Sequence, residues 1–104
     1  MELSRNKINS ISFLNTDEKT LFSLQNLNLS YNNISDIDVL INIPFSNLEK
    51  LDLSGNNISN INPLAKMPIN DLRELYVKNN KFEENGFNNV FEELNKKYKY
   101  ISIN

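Results

Sequence analysis

Cysteine, histidine and tryptophan are absent from the 104 residues, glycine occurs twice and proline three times. Without cysteine there is no disulfide framework and no thiolate metal site, which favours a reducing, cytoplasmic compartment. Without histidine, the serine and cysteine mechanisms that need an imidazole base cannot be built, nor can the usual zinc ligand sets. Histidine is also the side chain that titrates between about pH 5 and 8, so stability and binding are expected to be nearly flat there. A steep change in melting temperature between about pH 6 and 7.5 would contradict that expectation. Gly55 and Gly86 stand alone, so no glycine-rich phosphate loop exists.

Long apolar runs are missing too. The opening Met1-Glu2-Leu3-Ser4-Arg5-Asn6-Lys7 carries charge where a signal peptide needs an apolar run, and no window approaches the length of a membrane span. The formal charge is only −2, and Lys and Arg are not gathered on one apparent face, so nucleic acid binding has no electrostatic support. Catalysis would have to rest on carboxylates. Asp36 and Asp38 flank Ile37, but the plainer reading of that pair is a solvated turn. No active site, cofactor or metal is expected, and the chain reads as a non-enzyme.

What is present is a repeat. Leu48 to Ile58 spells L-x-x-L-x-L-x-x-N-x-I, and the same pattern runs from Leu24 to Ile34 and from Leu72 to Phe82, at a period of about 24. A partial copy lies at the start, where Leu3, Asn6 and Ile8 take the places of Leu53, Asn56 and Ile58. Within L-x-L, apolar and polar residues alternate with the period of a strand that buries one face. One such unit cannot close a core alone and must stack on copies of itself. Asn32, Asn56 and Asn80 stand where the chain turns out of the strand, and a buried amide there can bond the free backbone groups of neighbouring repeats.

The pattern resembles the leucine-rich repeat family, of the short Asn- and Ile-rich cytosolic type, and lacks the cysteine-flanked caps common in its secreted members. The resemblance implies an α/β solenoid, a right-handed arc of about five parallel strands on the concave face, with convex returns that are mostly irregular or 3₁₀. It also implies a protein-protein interaction module. The expected division of this single domain is a partial first repeat over 1–23, repeats over 24–47, 48–71 and 72–97, and a terminal strand over 98–104.

The returns carry their own signals. Ile11, Leu14 and Leu21 are inward candidates in the first, with Thr16-Asp17-Glu18-Lys19 as an exposed turn. Ile37, Leu40 and Ile43 follow in the second, where Pro44 blocks a helix, then Ile61 and Leu64 in the third, where Pro63 and Pro68 limit it to turns or a piece of 3₁₀ helix. The fourth return predicts a helix near 89–97. Asn89 with Glu92 has the spacing of a capping box, and Val90, Phe91, Leu94 and Tyr98 recur at helical spacing. Ile101 and Ile103 then read as the last strand.

The residues between the buried leucines face the concave surface. Asn26, Asn28, Lys50, Asp52, Glu74, Tyr76, Lys78 and Tyr100 are the candidate partner-binding set, with Tyr76 and Tyr100 expected at corresponding strand positions as anchors. The partner is expected to be a protein, with neither nucleic acid nor membrane. The alternative is self-association through uncapped solenoid ends. Met1, Leu3, Ile8, Ile11 and Leu14 would then form an apolar N-terminal flank needing a cover.

Overall fold

The computed structural model describes residues 1–16, 18–69 and 71–104, without the side chains of 15, 16, 18 and 84–87. Four parallel strands pair in chain order: β1 (Asn26–Asn28), β2 (Lys50–Asp52), β3 (Glu74–Tyr76) and β4 (Ser102–Ile103). Leu27, Leu51 and Leu75 stand opposite one another across the first three strands. Their outer neighbours are at least partly exposed while these leucines are buried, as the alternating pattern requires.

The expected count of five strands is not reached among the described residues. The first repeat contributes an isolated parallel bridge between Glu2 and Asn28. Leu3 N–H donates to Asn28 O at 2.8 Å, and Asn28 N–H donates to Met1 O at 2.9 Å.

Between strands the chain returns through short helical pieces. A 3₁₀ turn over Ser12–Thr16 and helix α1 (Glu18–Ser23) make the first return, and a 3₁₀ turn over Asp38–Asn42 makes the second. The turn expected over Thr16–Lys19 lies partly outside the described residues. Helix α2 (Asn62–Ala65) makes the third, where a 3₁₀ piece was expected; Pro63 falls in its first turn, where a missing N–H costs nothing, and so does not block it.

All the inward candidates of the returns, Ile11, Leu14, Leu21, Ile37, Leu40, Ile43, Ile61 and Leu64, are buried. Phe45, Met67 and Ile69 join them in the core. Each such side chain contributes about 1.5–3 kcal/mol by leaving water, which is how segments of four to six residues hold a helical shape they could not keep alone.

The last return corrects the predicted helix. Helix α3 spans Glu84–Lys97, and its N-cap is Glu83, whose side chain caps nothing. Asn89 is therefore inside the helix and forms no capping box. No proline follows Pro68, so nothing stops the helix from extending upstream of the apolar stripe. Val90, Leu94 and Tyr98 are buried, whereas Phe91 is exposed.

The asparagines form a ladder. Asn32 Nδ2 donates to the carbonyls of Leu29 and Ser30 in its own turn and to Leu3 in the repeat before, while its Oδ1 accepts from Asn6 N–H and Ile8 N–H. Asn56 and Asn80 repeat the arrangement, with Oδ1 accepting from Ile34 N–H and Ile58 N–H. Asn32 and Asn56 are buried; Asn80 is half-buried.

The residue before each of these asparagines and before Asn6 lies in the left-handed region: Arg5 at φ 57°, Tyr31 at 55°, Gly55 at 67° and Asn79 at 60°. That conformation brings each asparagine amide back onto the carbonyls two and three residues earlier. At Gly55 a Cβ would overlap the Tyr31 ring, which lies across it. Arg5 covers the same ring, its guanidinium carbon 4.7 Å from the centroid. Gly55→Ala is expected to cost about 1–2 kcal/mol from the backbone alone, plus the displaced ring. Thermal unfolding in wild-type and Tyr31→Ala backgrounds checks this: the loss should shrink when the ring is absent, and an equal loss in both would show that the ring is not the contact.

Candidate binding face

The exposed residues of the strands form two rows in register. Asn26, Lys50, Glu74 and Ser102 make the first, and Asn28, Asp52 and Tyr76 the second. Glu2 extends the second row through its bridge to Asn28.

Much of the second row is already engaged. Glu2 Oε1 accepts from Ser4 N–H at 3.0 Å, and its Oε2 accepts from Asn28 Nδ2 at 2.9 Å. Asn28 Oδ1 accepts from Ser30 N–H and from Ser30 Oγ, the latter at 2.7 Å, and Asp52 Oδ1 accepts from Ser54 N–H at 3.0 Å. These side chains tie down the backbone where it leaves the strand. Hydrogen bonding from Ser4, side chain and backbone, holds the Glu2 carboxyl below its ordinary value, against the opposing effect of desolvation and with help from Asn28 and the terminal ammonium. Its contribution is present at neutral pH and is lost as pH falls through that lowered value.

Lys50 and Tyr76 are arranged differently. Both are half-buried, on neighbouring strands, with Lys50 Nζ 5.2 Å from the Tyr76 ring centroid. The ammonium lies within cation–π range of the tyrosine ring, a contact worth about 0.5–1 kcal/mol at an exposed site. Glu74 and Lys78 are exposed beside them. Asn26, Asn28, Lys50 and Asp52 meet around a hollow of about 240 Å³ that Met1 also lines.

Tyr100 does not belong to this group. Ser102, not Tyr100, stands opposite Glu74, and Ile103 opposite Leu75, so the last strand starts later than the repeat spacing predicts. Tyr100 lies before β4, 71% exposed, with Lys99 Nζ 5.5 Å from its ring centroid. The cause is the fourteen residues of α3, which lengthen the last return and shift the register. Tyr31 was not among the predicted residues, although it is 44% exposed on the rim of the sheet. Aligning the repeats places it one period before Gly55, and a large ring preceding a glycine in the next repeat is the signal of their contact.

The profile of the family described as leucine rich repeat matches residues 22–82. The chain belongs to that family, whose domains generally mediate protein-protein interaction and are typically non-enzymatic. No curated protein matches the chain significantly. Among the described residues no group of acidic side chains could hold a metal ion, and no helix is long and apolar enough to cross a membrane.

Proposed function

We propose that the strand face binds a protein partner, with Lys50 and Tyr76 at its centre and Asn26, Asn28, Asp52, Glu74 and Lys78 around them. The observation that carries the reading is the Lys50–Tyr76 pair, a cation beside an aromatic ring on the outward face of neighbouring strands. Aromatic rings with charged neighbours are enriched among the residues that carry most of the energy of protein interfaces. Stacking of the repeats over 1–23, 24–47, 48–71 and 72–97, closed by 98–104, as a short right-handed solenoid would make this face concave. The absence of cysteine fits a cytoplasmic setting.

Tyr76→Ala is expected to weaken binding to a captured partner by roughly 1–3 kcal/mol, whereas Asp36→Ala, an exposed residue of the second return, should leave it unchanged. Isothermal titration with both variants decides the matter: equal affinity of wild type and Tyr76→Ala removes the face from consideration.

A second reading rests on the first repeat, where Met1 is 41% exposed and Leu3 and Ile8 only partly buried against the core. If this flank pairs with a second copy, size-exclusion chromatography with light scattering gives a dimer that Leu3→Glu dissociates. A monomer at high concentration, with residues 1–14 as protected from amide exchange as 48–58, removes that reading.

A further inference from the structure

Where the chain turns out of the sheet, at residues 4–8, 30–34, 54–58 and 78–82, it carries Arg5, Lys7, Lys78 and Lys81 and no carboxylate, although its net charge is −2. Backbone bonds join each turn to the next: Asn33, Asn57 and Lys81 N–H donate to Ile8, Ile34 and Ile58 O at 2.8, 2.8 and 2.9 Å. Lys7, Asn33, Asn57 and Lys81 thus take corresponding places in successive turns, and all four are exposed. They differ from the ladder asparagines beside them. Asn32, Asn56 and Asn80 have their amides bonded to the backbone, whereas the Asn33 and Asn57 side chains have no partner among the described residues. The carboxylates nearest in sequence, Glu2, Asp36, Asp52 and Glu83, pair with none of the four cations, and the first three accept from the N–H of Ser4, Asp38 and Ser54 instead.

We propose that this rim takes an extended acidic segment of the protein partner, lying across the turns with carboxylates four residues apart, one meeting Arg5 and Lys7 and the other Lys78 and Lys81. The proposal rests on the reading that the chain binds a protein partner and adds the chemistry of a segment recognised beside the strand rows. Spacing supports it: three steps of strand separation put the first and last turns about 14 Å apart, and four residues of an extended chain span about 13 Å. Between the charged ends, the Asn33 and Asn57 amides offer donors and acceptors that match the backbone of such a segment. At one end the Arg5 guanidinium lies over the Tyr31 ring, an arrangement in which a guanidinium still presents its edge to a carboxylate. Cations grouped at two ends with neutral amides between suit two separate carboxylates. A nucleic-acid strand, with a phosphate about every 3.4 Å of its axis, would leave its middle phosphates without a cation.

The test titrates the full chain, followed by nuclear magnetic resonance, with Gly/Ser decapeptides of equal composition that carry two Glu residues either four apart or adjacent. The spaced peptide should bind about threefold more tightly, the worth of one additional exposed ion pair, because the adjacent pair reaches only one end of the rim. Side-chain amide resonances of Asn33 and Asn57 should shift with the spaced peptide, and added salt should weaken its binding. The double variant Lys7→Gln/Lys81→Gln should remove the preference, whereas Lys96→Gln, an exposed change on α3, should leave it intact. Circular dichroism checks that these surface variants remain folded. Equal binding of the two peptides, binding of neither, a preference that survives the double variant, or tighter binding of an oligothymidylate than of either peptide would overturn the proposal. Tyr76→Ala should leave affinity for the spaced peptide unchanged, so failure at the rim leaves the strand-face reading to its own test.

Discussion

Truncating Tyr98 to Ala is expected to destabilise the chain by about 3–5 kcal/mol, the range for removing a buried aromatic side chain. Tyr98 is fully buried where α3 ends, and its hydroxyl donates to Leu64 O in α2 at 2.7 Å. It is the side chain through which the last return grips the third, so its loss removes packing and leaves a buried carbonyl without its donor. Tyr98→Phe separates the two effects. It keeps the ring and should cost only the unpaired carbonyl, about 1–3 kcal/mol.

The pH dependence distinguishes them further. Burial pushes the Tyr98 hydroxyl well above its ordinary value, so the folded state holds the proton more tightly than the unfolded chain does. Its contribution is therefore complete below about pH 10, where the unfolded phenol begins to ionise, and is lost as pH rises through the folded value. Denaturant melts between about pH 9 and 11 should show stability falling more steeply for wild type than for Tyr98→Phe, because titrations common to both cancel. Parallel curves would mean that the hydroxyl is not buried as described.

Asn56→Ala is expected to cost as much as about 3 kcal/mol, near the top of the range for buried groups left unpaired. Its Nδ2 serves Leu29 O, Leu53 O and Ser54 O at 3.0, 3.0 and 3.2 Å, and its Oδ1 takes Ile34 N–H at 3.1 Å. One side chain thus satisfies groups of two repeats, and none can turn to water because the residue is 4% exposed. Asn80→Ala should cost less, since Asn80 is half-buried and solvent can replace part of what is lost. Asn56→Asp is expected to be at least as damaging as Ala at neutral pH, because a carboxylate would face three carbonyl oxygens. Thermal melts of the three variants give the order, at several degrees per kcal/mol for a domain of this size. If Asn80→Ala proves the costliest, burial is not what sets the cost.

The repeat and its consequences were legible because they are periodic. Leu27, Leu51 and Leu75 could be placed opposite one another, and Asn32, Asn56 and Asn80 between neighbouring repeats, from spacing alone, since each position recurs with the same chemistry. The inward residues of the returns followed from the same alignment. Legibility ended where the period broke. Glu84 to Asn88 carry no apolar stripe, so the first turns of α3 were invisible to a reading based on hydrophobic spacing, and the extra residues displaced Tyr100 from the register assigned to it.

The candidate site was legible only as a face. Sequence could name Lys50 and Tyr76 as outward residues, but not that the two touch, because their contact is diagonal between strands and depends on rotamers. Nor could it foresee that Glu2, Asn28 and Asp52, of the same outward row, accept hydrogen bonds from the serines two residues on.

Amide hydrogen exchange tests the central claim, that repeats stacked through their leucine strands and asparagine turns form one framework, most directly. Leu29, Leu53 and Val77 N–H donate to the next strand at Asp52, Tyr76 and Asn104, while Ile34 and Ile58 N–H donate to the asparagines of the next turn. All five amides should exchange slowly and at similar rates, as members of one cooperative unit, and Asn56→Ala should raise exchange at Ile34 most. Fast exchange at Leu29, Leu53 and Val77, at rates near those of an unfolded chain, would contradict the stack and with it the strand face built upon it.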